Sequence, residues 1–541
     1  MTNLPPTNDP STETSLVPTF RTFEAQKEGF QRQFVAFPNN YVLTLTESLR
    51  DSPRGQPYSP YFGNELRGFV YVLRWAARPV EEHISGEVWR HLFDVEILGI
   101  FSTATLMPEF WLSKPDIQNG LIECLADCAH AIIAHDFISE PISDKMMECI
   151  PKIFRALWDH RDQLPVNTTD KFGVPTNILL ALLIPECFQL AKLKGDKGFR
   201  VDSFVPHMAV FTRVALGEQW KDLSQAVLLP LSALGRGLDP GSIDTPGADV
   251  EKFVEDVIIA GVGMDAFMTC MKTDLEESQL DGLCTLFGAL KAFRHRSSVF
   301  YAMFDLYRLP EAMMAAVDRV IGLETQRTWD LTLLYEHACY LFYMCVHKFG
   351  EAVIEGKTLS APAVDGDIAF RILARGLDLI SKPGDGELHD MALHMTGALI
   401  HTLHQITTIS NQSGCDSMIV EFVSSMRRQA RHEWWPTLCR IGTSTYRAEN
   451  FKDENMSMFR DSWLELGEDL GLSPVRERAR HDRETNLRCC CPGCVHHRVP
   501  FTSIAELRKC AGCGEVQYCS RGCQKMDWSR HKARCKRLRT R

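Results

Sequence analysis

The chain has 541 residues, of which 45% are hydrophobic and 24% are charged. This length is too great for a single hydrophobic core, and this composition excludes a chain that is disordered throughout. The net charge of −10 is unevenly divided, because residues 489–541 carry twelve Lys and Arg against three Asp and Glu. Nine of the 19 cysteines lie in the same short segment, which is not the distribution of a disulfide scaffold.

The N-terminal part of the chain lacks the features of a targeting segment. Residues 1–20 are rich in Pro, Ser, Thr and Asn, and residues 1–34 are predicted to be a disordered lead without a signal-peptide core. The longest apolar run, Asn177–Phe188, is interrupted by Pro185 and is shorter than the roughly 20 residues that span a membrane. We therefore expect a soluble intracellular protein of the cytoplasm, the nucleus or both. Thiols stay reduced there, so a cysteine cluster indicates metal binding.

Residues 35–474 show apolar side chains at the three- and four-residue spacing of helices. One such stripe comprises Met146, Ile150, Ile153 and Leu157, and similar stripes recur between Pro- and Gly-rich breaks. No convincing alternating strand pattern occurs, so the prediction is a mainly α protein with a large all-helical body. Two forms remain open, an irregular all-α domain and an α-solenoid of the armadillo or HEAT type.

Two groups of metal-ligating side chains lie inside this body. The members of the first are Glu123, Cys124, Cys128, His130 and His135, and those of the second are His394, His401 and His404. Because Cys124 and Cys128 lie on the apolar stripe of one helix, we interpret the first group as core residues rather than a metal site. The same interpretation, core or solvated histidines, holds for the second group.

The body ends in a charged segment. Residues 475–488 contain almost no apolar side chain and form either a solvated helix or a linker. We place a charged linker there, followed by a cysteine-rich domain at 489–535 and a basic tail at 536–541.

The cysteine-rich domain contains four pairs of potential metal ligands. The pairs are Cys491 with Cys494, Cys510 with Cys513, Cys519 with Cys523, and His531 with Cys535. Zinc takes four thiolate or imidazole ligands in tetrahedral geometry, so eight ligands predict two structural zinc ions. A segment with so few large apolar residues needs the free energy of zinc binding to fold.

The local sequence also predicts the turns and helices of this domain. A two-residue gap between cysteines gives a tight turn, whose bend we expect at Gly493 and Gly512. The last two pairs have the spacing of ligands on one helical face. Ser520 is expected to cap a helix that runs through Trp528.

The pattern as a whole resembles a MYND-type zinc finger, over about the last tenth of the chain. The residues that carry the resemblance are Cys491, Cys494, Cys510, Cys513, Tyr518, Cys519, Ser520, Cys523, Gln524, Asp527, Trp528, His531 and Cys535. The resemblance implies a cross-braced fold, with one zinc on the first and third pairs and the other on the second and fourth. Cys489 is the alternative to Cys491 as first ligand, because some members have a wider first pair. His496 and His497 are interpreted as loop residues.

The same resemblance implies a non-enzymatic protein-interaction function. Fingers of this type bind other proteins, often at short proline-rich peptides of the partner. In the family, the peptide-binding groove involves the positions that match Gln524 and Trp528. The alternative for Trp528 is a place in the small hydrophobic centre of the finger. Two other functional classes stay open: a nucleic-acid-associated regulator that uses the basic tail, and a SET-type lysine methyltransferase. The second is disfavoured, because the body looks helical and contains no cofactor motif of that class.

Overall fold

The computed structural model describes most of the chain in fifteen segments. These are residues 38–76, 86–165, 174–195, 200–216, 221–234, 248–321, 328–357, 364–380, 387–412, 415–443, 453–485, 487–499, 501, 507–514 and 516–535. The predicted disordered lead and the basic tail lie outside them. The chain divides into two compact units, residues 1–196 with 202–208, and residues 197–201 with 209–541.

Unit 1 is helical throughout its described residues. Its helices are α1 (Pro38–Arg50), α2 (Pro60–Ala76), α3 (Gly86–Asp94), α4 (Ile97–Leu106), α5 (Pro108–Leu112), α6 (Pro115–Ala134), α7 (Pro141–Asp159) and α8 (Thr176–Leu193), with 3-10 turns at Arg161–Gln163 and Val201–Ser203. The central helix α6 contacts α2, α4 and α8 and buries most of its length. Proline stands in the first turn of α5, α6 and α7, where its missing N–H costs nothing.

The chain enters unit 2 within α9, and the helices continue to residue 485. They are α9 (Val205–Leu216), α10 (Lys221–Val227), α11 (Leu229–Ala233), α12 (Ala248–Phe253), a π-helix (Val254–Val262), α13 (Met264–Glu277), α14 (Leu280–Arg296), α15 (Ser298–Leu306), α16 (Leu309–Ile321), α17 (Thr328–Ile354), α18 (Gly366–Ile380), α19 (Glu387–Ser410), α20 (Ser417–Thr443), α21 (Asp453–Asp469) and α22 (Pro474–Thr485).

From α17 to α20, each helix contacts the next one and the next but one along the chain. The long helices α17 and α19 pack together, as do α18 and α20. A solenoid uses such near-neighbour contacts, but the armadillo or HEAT type stays a prediction.

A pair of tryptophans joins two helices of unit 2. The indole N–H of Trp434 in α20 donates to the carbonyl of Trp463 in α21 at 2.8 Å, and the indole of Trp463 donates to the carbonyl of Trp434 at 3.0 Å. Both side chains are fully buried, so each indole N–H needs such a partner. Gly467 leaves the space that the ring of Trp434 fills.

One described helix, α8, is long and apolar enough to cross a membrane. It runs through Pro185, which the sequence analysis took as an interruption. Because 67% of its apolar window is buried inside the structure, and core helices have the same composition, this is weak evidence for a membrane segment.

The described residues after α22 contain little secondary structure. It has α23 (Val495–Arg498), β1 (Arg508–Lys509), β2 (Gln517–Tyr518), α24 (Arg521–Met526) and α25 (Trp528–Arg534). The two strands form the described β-structure and pair antiparallel, with Arg508 opposite Tyr518.

These observations confirm the mainly α fold. The charged segment at 475–488, which the sequence left open between a solvated helix and a linker, is the helix α22 up to Thr485. It is held to α20 by contacts that include the guanidinium of Arg480 on the carbonyl of Arg431. The division between the two units, at residues 196–208, lies inside the stretch that the sequence predicts as one body.

Candidate metal centre

The β-hairpin carries a cysteine after each of its strands. Cys510 follows β1 and Cys519 follows β2, so the antiparallel pairing places them at opposite ends of the hairpin. The backbone N–H of Cys510 donates to the carbonyl of Val516 at 2.8 Å, which extends the pairing by one bond. The turn between Cys510 and Cys513 contains Gly512 and is followed by Gly514, whose φ of 67° lies in the left-handed region that glycine tolerates.

Four thiols form the first cluster, which consists of Cys489, Cys494, Cys519 and Cys523. All four sulfur atoms lie within 4.8 Å of one another. The Sγ atom of Cys519 lies 3.4 Å from that of Cys494 and 3.5 Å from that of Cys523. Cys489 and Cys523 are buried, and the other two are half-buried.

Three thiols and an imidazole form the second cluster, which consists of Cys510, Cys513, His531 and Cys535. The Sγ atoms of Cys510 and Cys535 lie 4.0 Å apart, and the Sγ of Cys513 lies 3.5 Å from Nε2 of His531. Burial raises the pKa of Cys510, but the N–H groups of Cys513 and Gly512, with the side chains of His531 and Cys535, lower it to about 6. The thiolate, which is the metal ligand, is therefore the favoured form.

Both clusters fit a zinc ion. Tetrahedral coordination at the usual Zn–S bond length of about 2.3 Å separates two sulfur ligands by about 3.8 Å, close to the separations of 3.4 and 4.0 Å found here. Four protein ligands leave no open position for water or substrate, so both sites are structural. The prediction of two structural zinc ions is confirmed, as is the cross-braced pairing of first with third and second with fourth pairs.

The first ligand of the first cluster is not the cysteine that the sequence analysis preferred. The structure places Cys489, not Cys491, with the other three thiols of the first cluster. The backbone of Cys489 is fixed from both sides: its N–H donates to the carbonyl of His496 at 2.9 Å, and its carbonyl accepts from Nδ1 of His497 at 2.8 Å. The wider first pair, Cys489 with Cys494, is thus the one found in the structure. The sequence analysis had kept it as the alternative.

The helices position the remaining ligands. The hydroxyl of Ser520 accepts the backbone N–H of Cys523 at 3.1 Å, which confirms the predicted N-cap. The predicted single helix is two short helices, α24 and α25, separated at Asp527. His531 lies within α25, and Cys535 lies at its C-cap.

Asp527 has a structural role that the sequence analysis did not assign. Its buried carboxylate accepts from the hydroxyl of Tyr518 at 2.7 Å and from Nε of Arg530 at 3.0 Å. It thereby links β2 to α25, the strand and helix that flank the two clusters. The sequence signal was available, because a carboxylate beside a short helix is a common anchor at its N-terminus.

The two residues predicted for partner binding differ in exposure. Trp528 is 40% exposed, and its ring meets His531 edge-on at a centroid distance of 5.9 Å. Gln524 is half-buried on the preceding helix. Met526, at the end of that helix, is 65% exposed, so a second large apolar side chain meets solvent close to Trp528 in the sequence.

The other groups of metal-ligating side chains do not form clusters within the described residues. Cys124 and Cys128 are fully buried in α6, consistent with their interpretation as core residues. Nδ1 of His130 pairs with Glu186 at 3.1 Å, and Nδ1 of His404 lies 3.0 Å from Asp469.

Comparison with known sequences identifies the segment that contains both clusters. The sequence model of the MYND finger family matches residues 488–535. Residues 488–535 form a MYND finger. The match leaves helices α1 to α22 outside it, so it describes the finger and not the whole chain.

The relatives of the MYND finger occur in proteins of different kinds. SET domain-containing protein 14 of Caenorhabditis elegans is 51% identical over 40 residues, which are 7% of this chain and 9% of that protein. SET domain and MYND-type zinc finger protein 6 of Schizosaccharomyces pombe is 42% identical over 53 residues, 10% of each chain. An F-box protein of Arabidopsis thaliana is 38% identical over 81 residues, 12% of this chain and 24% of that protein. The match thus spans no more than a quarter of these curated relatives.

Proposed function

We propose that this chain is a non-enzymatic adaptor whose MYND finger binds short proline-rich segments of partner proteins. The observation that carries the proposal is the exposure of Trp528 within the finger. The side chains of both four-ligand clusters are assembled without it, so Trp528 is available to a ligand. MYND fingers are protein-interaction modules, and the family match supports protein interaction as the general function of this segment.

The chemistry of the exposed face suits a polyproline ligand. A polyproline II helix has no internal hydrogen bonds and presents flat pyrrolidine rings, which pack on aromatic faces such as Trp528. The amide of Gln524, on the preceding helix, supplies a donor and an acceptor for the free peptide groups of such a ligand. Burial of a tryptophan face commonly contributes a large part of the binding free energy of an interface.

The helical units complete the proposal. Their helices provide a scaffold outside the finger, and the charge of about −19 over residues 1–488 contrasts with the basic finger and tail. We place the protein inside the cell, in the cytoplasm, the nucleus or both, because seven zinc-binding thiols require a reducing compartment.

The test is binding of a fluorescein-labelled proline-rich peptide to the full zinc-loaded chain, measured by anisotropy. The same peptide with alanine in place of proline is the ligand control. Trp528→Ala and Gln524→Ala are expected to weaken binding at least tenfold, because they remove the aromatic face and its polar neighbour. Val475→Ala, at a 78% exposed position of α22, is the matched control and should bind normally.

Two results would count against this function. One is normal binding by Trp528→Ala with two zinc ions still bound. The other is the absence of any proline-rich peptide affinity in the native chain. A pull-down that compares native protein with a Cys519→Ser, Cys523→Ser variant would then show whether any partner depends on the finger.

A second class, SET-type lysine methyltransferase, is favoured only by the names of two relatives, whose matches are confined to the finger. Transfer of a methyl group from S-adenosylmethionine to histones by the purified chain would establish it. A nucleic-acid function depends on the basic residues 536–541, which lie outside the described residues. Salt-dependent DNA or RNA binding that is lost on their deletion would support it.

A further inference from the structure

A fifth thiol lies against the first cluster. Cys491 is only 3% exposed and belongs to the same buried group as Cys489 and Cys523. Its thiol interacts directly with that of Cys523 and accepts the backbone N–H of Gly493. The first zinc site therefore has four assembled ligands and one further sulfur in contact with it.

Cys490, between the two, is turned away from the cluster. Its Sγ accepts the backbone N–H of Gln517 at 3.4 Å, and its own N–H donates to the carbonyl of Gln517 at 2.8 Å. Its carbonyl accepts from the guanidinium of Arg530 at 3.2 Å. These bonds hold Cys490 along β2. By contrast, the sulfur of Cys489 accepts the N–H of Cys491, and the sulfur of Cys491 contacts that of Cys523, so both thiols lie at the metal site.

The surroundings of Cys491 match those of an assembled ligand. In the second cluster, Cys510 begins the sequence CAGC and its sulfur accepts N–H groups from Gly512 and Cys513. Cys491 begins the sequence CPGC and accepts the N–H of the corresponding Gly493. Cys489 reaches its place differently, since its sulfur accepts the N–H groups of Cys491 and Cys519. The sulfurs of Cys489 and Cys491 thus both accept backbone N–H groups, as the sulfur of Cys510 does.

We propose that Cys491 is a reserve ligand of the first zinc site and replaces Cys489 when that thiol is removed from the metal. In the exchange the bond from zinc to the sulfur of Cys489 breaks and a bond to the sulfur of Cys491 forms. The proton of the Cys491 thiol leaves to solvent, and the sulfur of Cys489, where present, takes one up. The number of thiolates on zinc, and the charge of the site, stay the same.

The test is the zinc content of the full-length chain and the absorption of its cobalt-substituted form, which distinguishes a four-thiolate site from one with fewer thiolates. Native protein, Cys489→Ser and Cys491→Ser are each expected to bind two metal ions and to keep the four-thiolate spectrum. The double variant Cys489→Ser, Cys491→Ser is expected to lose one ion. The matched double variant Cys489→Ser, Cys490→Ser should keep two, because Cys490 faces β2.

The remaining outcomes overturn the proposal. If Cys489→Ser binds one ion or none, or shows a spectrum with fewer thiolates, Cys491 does not take its place. If the double variant without Cys489 and Cys491 keeps two ions, another side chain supplies the ligand. If Cys491→Ser loses an ion, Cys491 is the resident ligand and not the reserve.

Discussion

Ser520 shows how one hydroxyl supports a metal ligand. It accepts the N–H of Cys523 at the start of α24 and so fixes the helix that carries this ligand of the first cluster. Ser520→Ala removes the cap, at a cost of about 1 kcal/mol. Because folding and zinc binding are coupled, we expect first-site zinc affinity to fall by about fivefold in a chelator competition.

The control for this prediction is Ser529→Ala. Ser529 is exposed in the first turn of α25 and caps no described ligand. Its replacement should leave zinc affinity unchanged, since alanine is a good helix former. Equal effects of the two substitutions would show that the hydroxyl of Ser520 has no special role.

At the residue scale, the sequence predicted seven of the eight zinc ligands assembled in the structure. Spacing alone did not decide between Cys489 and Cys491, since either completes a pair with Cys494. The deciding contacts come from residues apart in sequence, namely the carbonyl of His496 and the ring of His497 on the backbone of Cys489. Such hydrogen bonds depend on how the loop folds back, which residue spacing does not encode.

The contact between α20 and α21 depends on a glycine. A Cβ added at Gly467 would overlap the buried indole of Trp434, which is itself held by its bond to Trp463. We expect Gly467→Ala to lower the free energy of unfolding of unit 2 by about 1–3 kcal/mol, measured by denaturant unfolding.

Gly397→Ala, in α19, is the matched substitution. Its Cβ would lie 3.6 Å from the ring of Phe459, an ordinary contact. Since alanine is about 1 kcal/mol more favourable than glycine inside a helix, this variant should be neutral or more stable. A loss of stability at Gly397 equal to that at Gly467 would contradict the steric explanation.

At the element scale, helical periodicity predicted the fold class well and the boundaries less well. The stripe through Met146, Ile150, Ile153 and Leu157 is the buried face of α7. Sequence alone left the charged segment after residue 474 open between a helix and a linker, and Pro185 interrupts an apolar run; both lie in helices that pack against others. Tertiary contacts outweigh the local cost of a proline or of a poorly amphipathic sequence.

The whole molecule combines two ways of stabilising a fold. The helical units bury large apolar side chains, whereas the finger has a small buried group made mostly of cysteines, with Leu507 and Tyr518. Removing zinc with a chelator should therefore unfold the finger and leave the helical units folded. Far-UV circular dichroism should lose only the small helical signal of α23, α24 and α25.

Readdition of zinc is the control for chelation and should restore the finger, detected as protection of residues 488–535 from proteolysis. Loss of most of the helical signal on chelation would instead show that the helical units depend on the finger. Unchanged protection of the finger without zinc would show that its small core suffices.

The mainly helical fold and the two-zinc finger could be predicted from sequence, because helical periodicity and ligand spacing are local patterns. Tertiary structure decided which of two neighbouring cysteines joins the first cluster, that Trp528 is exposed, and where the helical region divides. These outcomes depend on hydrogen bonds and packing between residues far apart in the chain, whose free energies no local pattern contains.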